Sequence, residues 1–168
     1  MTNLNFSRVF TAAGAAILVS GAALPAHAED AWQAFWDRCL HPVSNVIMPN
    51  TNDLSEEGAN WMAPDRKWSM EIDIDRGEIF SCSVTTESAE EALADFREWA
   101  RVAVETESYQ ELPRNFLPDT AIAGYESHLW REPRIQVIAE EKKGFVKFTV
   151  EETELEALTM PKGDPPHA

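Results

Sequence analysis

Basic residues are scarce in this chain of 168. Fourteen Lys and Arg stand against 29 Asp and Glu, a formal charge of −15. A nucleic-acid binder needs a basic stripe to meet phosphates, and so does a protein that adheres to anionic lipid, so both classes are excluded. Cysteine is nearly absent, at two residues. That leaves no four-thiolate zinc site and no Cys-x-x-Cys redox motif. Past residue 28 no apolar run approaches the ~20 residues of a membrane span. The Gly-x-Ser-x-Gly, His-Glu-x-x-His and glycine-rich phosphate-loop patterns are missing too, so no motif names a reaction and none calls for a cofactor. The chain is shorter than the ~250 residues of a barrel enzyme and suits a single core.

What is there begins with an address. Arg8 is the sole charged side chain of residues 1–28. An apolar run from Val9 to Leu24 follows it and closes on Ala26-His27-Ala28. A basic start, a short apolar stretch and a small-x-small end are the pattern of a secretory signal peptide. Cleavage is expected between Ala28 and Glu29. The segment holds one Arg and no acid, so its loss takes the charge from −15 to −16. The remainder reads as a single α+β domain over 29–161 with a disordered tail at 162–168. The expected location is the periplasm, with secretion from the cell as the alternative.

Export changes the meaning of Cys39 and Cys82. An even cysteine count in a small exported domain points to a disulfide. The loop it closes, a little over 40 residues, makes the bond worth ~4 kcal/mol in the chain-entropy model. Buried free thiols, a metal site and a redox pair are the competing readings.

Periodicity supplies the elements. Trp32, Phe35, Trp36 and Cys39 recur at helical spacing after an Asp30 N-cap, and Pro42 is expected to end that helix near His41. A short apolar patch, Val43, Val46, Ile47 and Met48, adds a turn or two. Residues 49–67 and 107–119 read as connectors rich in turn residues. Trp68, Met70, Ile72 and Ile74 alternate with polar residues, and Asp75-Arg76-Gly77-Glu78 turns the chain into a second strand, Ile79 to Thr86. On that strand Phe80, Cys82 and Val84 are expected to share the face that meets the first helix. Ser88-Ala89-Glu90-Glu91 is a capping box ahead of a helix that buries Leu93, Phe96, Ala100 and Ala103. Three strands follow as a meander, Ala121–Trp130, Arg134–Glu140 and Phe145–Glu151. A short helix over Glu152–Met160 is expected to close the domain. The fold expected is a five-stranded antiparallel sheet, hairpin plus three-strand meander, packed by two helices in the order α-β-β-α-β-β-β. No internal repeat is visible in the sequence.

Candidate sites are few. Glu126 and His128 share a strand face with Trp130, which would suit a general acid–base pair over an aromatic floor. The bland alternative is an exposed strand face with incidental polar residues. Glu71, Asp73, Asp75 and Glu78 form an acidic ladder that lacks the calcium-loop spacing and reads as the wet face of a sheet. His41, His128, Met48 and Met62 allow a weak metal-handling reading. Trp32, Trp36 and Trp99 fall on core stripes. Trp61, Trp68 and Trp130 do not, and they are the candidates for a recognition surface, or else caps on the ends of a small core. The function expected is a non-catalytic periplasmic binding module. Its partner is a cationic exported protein or a small ligand, with inhibition of a cationic hydrolase as one version. A small enzyme using Glu126 and His128 is the other alternative.

Overall fold

The computed structural model describes residues 29–128 and 134–153. The expected signal segment, the tail, most of the expected terminal helix and Trp130 lie outside those residues.

One sheet of eight antiparallel strands forms a layer, not the five strands expected. The strands are β1 (Ser55–Glu57), β2 (Asn60–Met62), β3 (Trp68–Asp75), β4 (Glu78–Thr86), β5 (Tyr109–Glu111), β6 (Ala121–Ser127), β7 (Arg134–Lys142) and β8 (Phe145–Thr153). Their spatial order is β1-β2-β3-β4-β8-β7-β6-β5. The three additional strands, β1, β2 and β5, lie inside the two presumed connectors. Each is only three residues long, too short for an apolar alternation to mark it. They are held by main-chain pairing at the sheet margins, with Trp61 of β2 and Tyr109 of β5 packed against the core, and short marginal strands also limit edge-to-edge association. The last strand runs through Thr153, which displaces the start of the expected terminal helix.

Helix α1 spans 31–45 and helix α2 is Ala89–Glu105. Both cover the same face of the sheet. The Phe148 ring on β8 meets Trp32 and Phe35 of α1 at 5.3 and 5.7 Å, and Phe96 of α2 at 5.6 Å. The buried rows beneath them are cross-strand sets. Cys82, Val150 and Val137 form one row, and Val84, Phe148 and Ala139 the next. All six are fully buried. Cys39 and Cys82 form a disulfide that ties α1 to β4 at the centre of the sheet.

Proline does not end α1 at His41. A proline inside a helix lacks an N–H and its ring presses on the carbonyl four residues back, here Arg38. The chain resolves this by widening. Trp36–Leu40 forms a π-helical turn, and His41 donates its N–H to the Trp36 carbonyl. Pro42 then sits in the first turn of a renewed α-helix, His41–Asn45. One residue changes sides as a result. Trp36, expected in the core, is 40% exposed.

Two smaller expectations are also corrected. A bulge between Asp73 and Ile74 pairs Ile74 with Ile79 and leaves Phe80 unpaired. Ile79 is therefore buried and Phe80 is exposed, so only Cys82 and Val84 of the expected trio face the helices. At α2 the Ser88 side chain makes no capping bond. Its N–H donates instead to Thr86 Oγ1 (3.0 Å).

The strand order contains a repeat that the sequence hides. A helix followed by a four-stranded meander occurs twice, and the last strands, β4 and β8, pair antiparallel at the centre. In strand order and direction the two halves mirror each other about the β4–β8 pair. Their inner hairpins match: Arg76-Gly77 (φ 53° and 90°) and Lys143-Gly144 (φ 55° and 85°) each place two residues in the left-handed region. That is the turn whose twist suits a two-residue hairpin.

Candidate functional site

Where α1 and α2 meet, a groove of about 380 Å³ opens to solvent. The π-turn supplies Trp36 and Leu40, and His41 follows them. From α2 come Trp99 and Val102, and from β5 comes Tyr109. Ser44, Asn45, Ala103, Thr106 and Ser108 complete the lining, which holds no Asp, Glu, Lys or Arg. A concave, mostly apolar surface with a few polar groups is the usual form of a small-ligand site, and this volume is at the low end of the ~300–1,000 Å³ range. The aromatic wall is braced from behind. Trp99 meets Tyr109 at 5.1 Å and Tyr125 at 5.7 Å, both edge to face, and Trp32 at 5.6 Å. Beyond the groove α1 ends on Val46, a β-branched residue in the left-handed region (φ 54°). It is followed by exposed Ile47 and Met48.

An acidic cleft of about 720 Å³ is also lined in part by α1. Glu29, Asp30, Asp37, Asp53 and Asp65 line it with Arg38 and Trp68. Its one guanidinium is fully used in structure. Arg38 donates to both Asp53 oxygens (2.8 and 2.9 Å), to Glu29 Oε2 (2.8 Å) and to the Asn50 carbonyl (2.9 Å), and it lies 5.5 Å from the centre of the Trp68 ring. The hydrogen bonds to Asp53 are the main reason the guanidinium holds its proton more tightly than usual, and Arg38 in turn lowers the Asp53 carboxyl. These bonds pin the loop after α1 back onto the helix.

The residues expected to matter are scattered. Trp68 is buried and donates its indole N–H to the Glu29 carbonyl (2.9 Å), so it anchors the chain ahead of α1. Trp61 is half-buried on β2, paired across the ladder with Met70 of the core. Trp130 lies outside the described residues. Glu126 is buried on β6, where Oε2 accepts from Arg134 Nη2 (2.5 Å) and Gln110 Nε2 (3.2 Å). Both side chains of the Arg134–Glu126 pair are buried, at 2% and 1% exposure. His128, just past β6, donates its backbone N–H to the Ser108 carbonyl (3.1 Å). Among the described residues no group of three or more His, Cys, Asp or Glu side chains is placed to hold a metal. His41 lines the groove, Met48 is exposed beyond α1, and Met62 lies on β2. The acidic ladder occupies the face of β3 away from the helices, where Glu71 meets Lys147 at 3.4 Å.

Sequence reading missed Trp36 and Tyr109 as groove residues. The available signal was Pro42 inside a stripe that Val43 continues, the mark of a widened turn upstream.

The chain matches no protein-family model, no curated protein and no solved structure. Among the described residues no helix is long and apolar enough to cross a membrane. The disulfide fits an exported protein, because such bonds persist in oxidising compartments.

Proposed function

We propose that this protein is a non-catalytic binding module of the periplasm that recognises a positively charged partner through the groove between α1 and α2. One observation carries the reading: the π-turn presents Trp36 to solvent beside a second tryptophan and a tyrosine, in a groove lined by no Asp, Glu, Lys or Arg. Trp36 is exposed and Trp99 half-buried, and tryptophan is prominent among the residues that dominate binding energies. The charge of −15 favours cationic partners by steering them in.

Residues 29–168 immobilised and exposed to periplasmic extract test the reading. The expected result is a cationic component retained at low salt, released at high salt, and not retained by the Trp36→Ala protein. Retention that is indifferent to Trp36, or no retention, contradicts it. If the retained component is a hydrolase and loses activity when bound, the inhibitor version is selected.

A further inference from the structure

We infer that the group entering this groove is an alkylated ammonium, supplied by a free small molecule such as a trimethylammonium compound. The inference rests on the groove being the binding site. The first support is the lining. Trp36, Trp99 and Tyr109 bring three π-systems to one concavity, and Trp99 and Tyr109 stand at 68° to each other. Tyr109 is buried, so the exposed Trp36 and the half-buried Trp99 are the rings at the groove surface, and an aromatic face suits a rounded apolar cation.

The second support is what the lining lacks. The hydroxyls of Ser44, Thr106 and Ser108 and the Asn45 amide are neutral acceptors, and no carboxylate lines the groove to offset the charge of a strongly hydrated primary ammonium or guanidinium. An alkylated ammonium has little hydrogen-bonding to lose. Its surface is apolar and its charge is spread over methyl groups, so aromatic faces satisfy both properties together. An anion would find no Lys or Arg in the lining and an unfavourable potential from a chain that carries −15. The acidic charge elsewhere raises the local concentration of cations without forming ion pairs inside the groove.

Calorimetric titration of residues 29–168 with choline, with its neutral isostere 3,3-dimethylbutan-1-ol and with ethanolamine tests the inference. Choline is expected to bind at least about tenfold more tightly than either, the difference a desolvated cation–π contact supplies. Trp36→Ala is expected to weaken choline by a similar factor, and Trp36→Phe to restore part of it. Trp36 is 40% exposed, so both variants are expected to fold, which circular dichroism and the melting temperature verify. Equal binding of choline and the neutral isostere would overturn the inference, as would ethanolamine matching choline. So would choline that fails to bind folded protein. The failure of the broader reading is separable: choline can fail while a cationic component of the extract is still retained through Trp36.

Discussion

Individual side chains divide into those that hold the molecule together and those left for work. Glu126 and Arg134 belong to the first kind. Both are buried, and among the described residues Glu126 Oε1 and Arg134 Nε have no hydrogen-bond partner. Removing one charge strands the other, so Arg134→Ala is expected to cost about 3–5 kcal/mol in urea denaturation. Exchanging both for apolar residues of similar volume is expected to cost far less. Glu151 behaves in the opposite sense. Burial, and then the nearby Glu140 charge, push its carboxyl above the ordinary glutamate range. A carboxyl raised in the folded state binds more protons there than in the unfolded chain, so its contribution to stability falls as pH rises from the ordinary value through the raised one. Glu151→Gln is therefore expected to raise the melting temperature at neutral pH, with a gain that disappears in acid below the ordinary glutamate range. A gain of equal size at both pH values would show that packing, not ionisation, is responsible. The sequence identified the strand that carries Glu126. It did not reveal the partner, because Arg134 enters from the next strand and only the ladder register brings the two together.

Among the elements, α1 shows where local patterns suffice and where they stop. Its stripe of Trp32, Phe35 and Cys39 was legible, as were the hairpin over β3 and β4, the buried face of α2 and the disulfide. Those features follow from period and composition, which act over a few residues. The π-turn and the three short marginal strands were not legible. The first arises from a clash between Pro42 and a carbonyl a turn away, and the others from main-chain pairing over three residues each, too few for an alternation to show. Comparing Phe35→Ala with Trp36→Ala tests the widened turn. The Phe35 change is expected to cost about 3–5 kcal/mol, as for a buried aromatic ring. The Trp36 change is expected to cost under about 1 kcal/mol; equal losses would place both in the core and remove the π-turn. Val46 offers a second test. Its left-handed backbone is costly for a β-branched residue, so Val46→Gly is expected to stabilise by about 1 kcal/mol. Loss of the disulfide in a Cys39→Ala, Cys82→Ala protein is expected to remove about 4 kcal/mol, the chain-entropy value for a separation of 43.

Across the whole molecule, two helix-and-meander halves share one core at the β4–β8 seam. Neither half closes its own layer, since Phe148 of the second half packs against Trp32 and Phe35 of the first. Unfolding is therefore expected to be a single transition by fluorescence and circular dichroism, with the slowest amide exchange in β4 and β8 and the fastest in β1 and β5. Two separate transitions would mean that the halves are independent units. The same architecture places the groove on the helical layer, where the two halves meet. The protein holds six tryptophans, and their indole N–H signals report separately in a nitrogen-15 spectrum. Titrating labelled residues 29–168 with choline tests the central claim most directly. The expected result is movement of the Trp36 and Trp99 signals with a common affinity while Trp68 stays still. A Trp36 signal that does not move, or one that moves no more than Trp68, contradicts it.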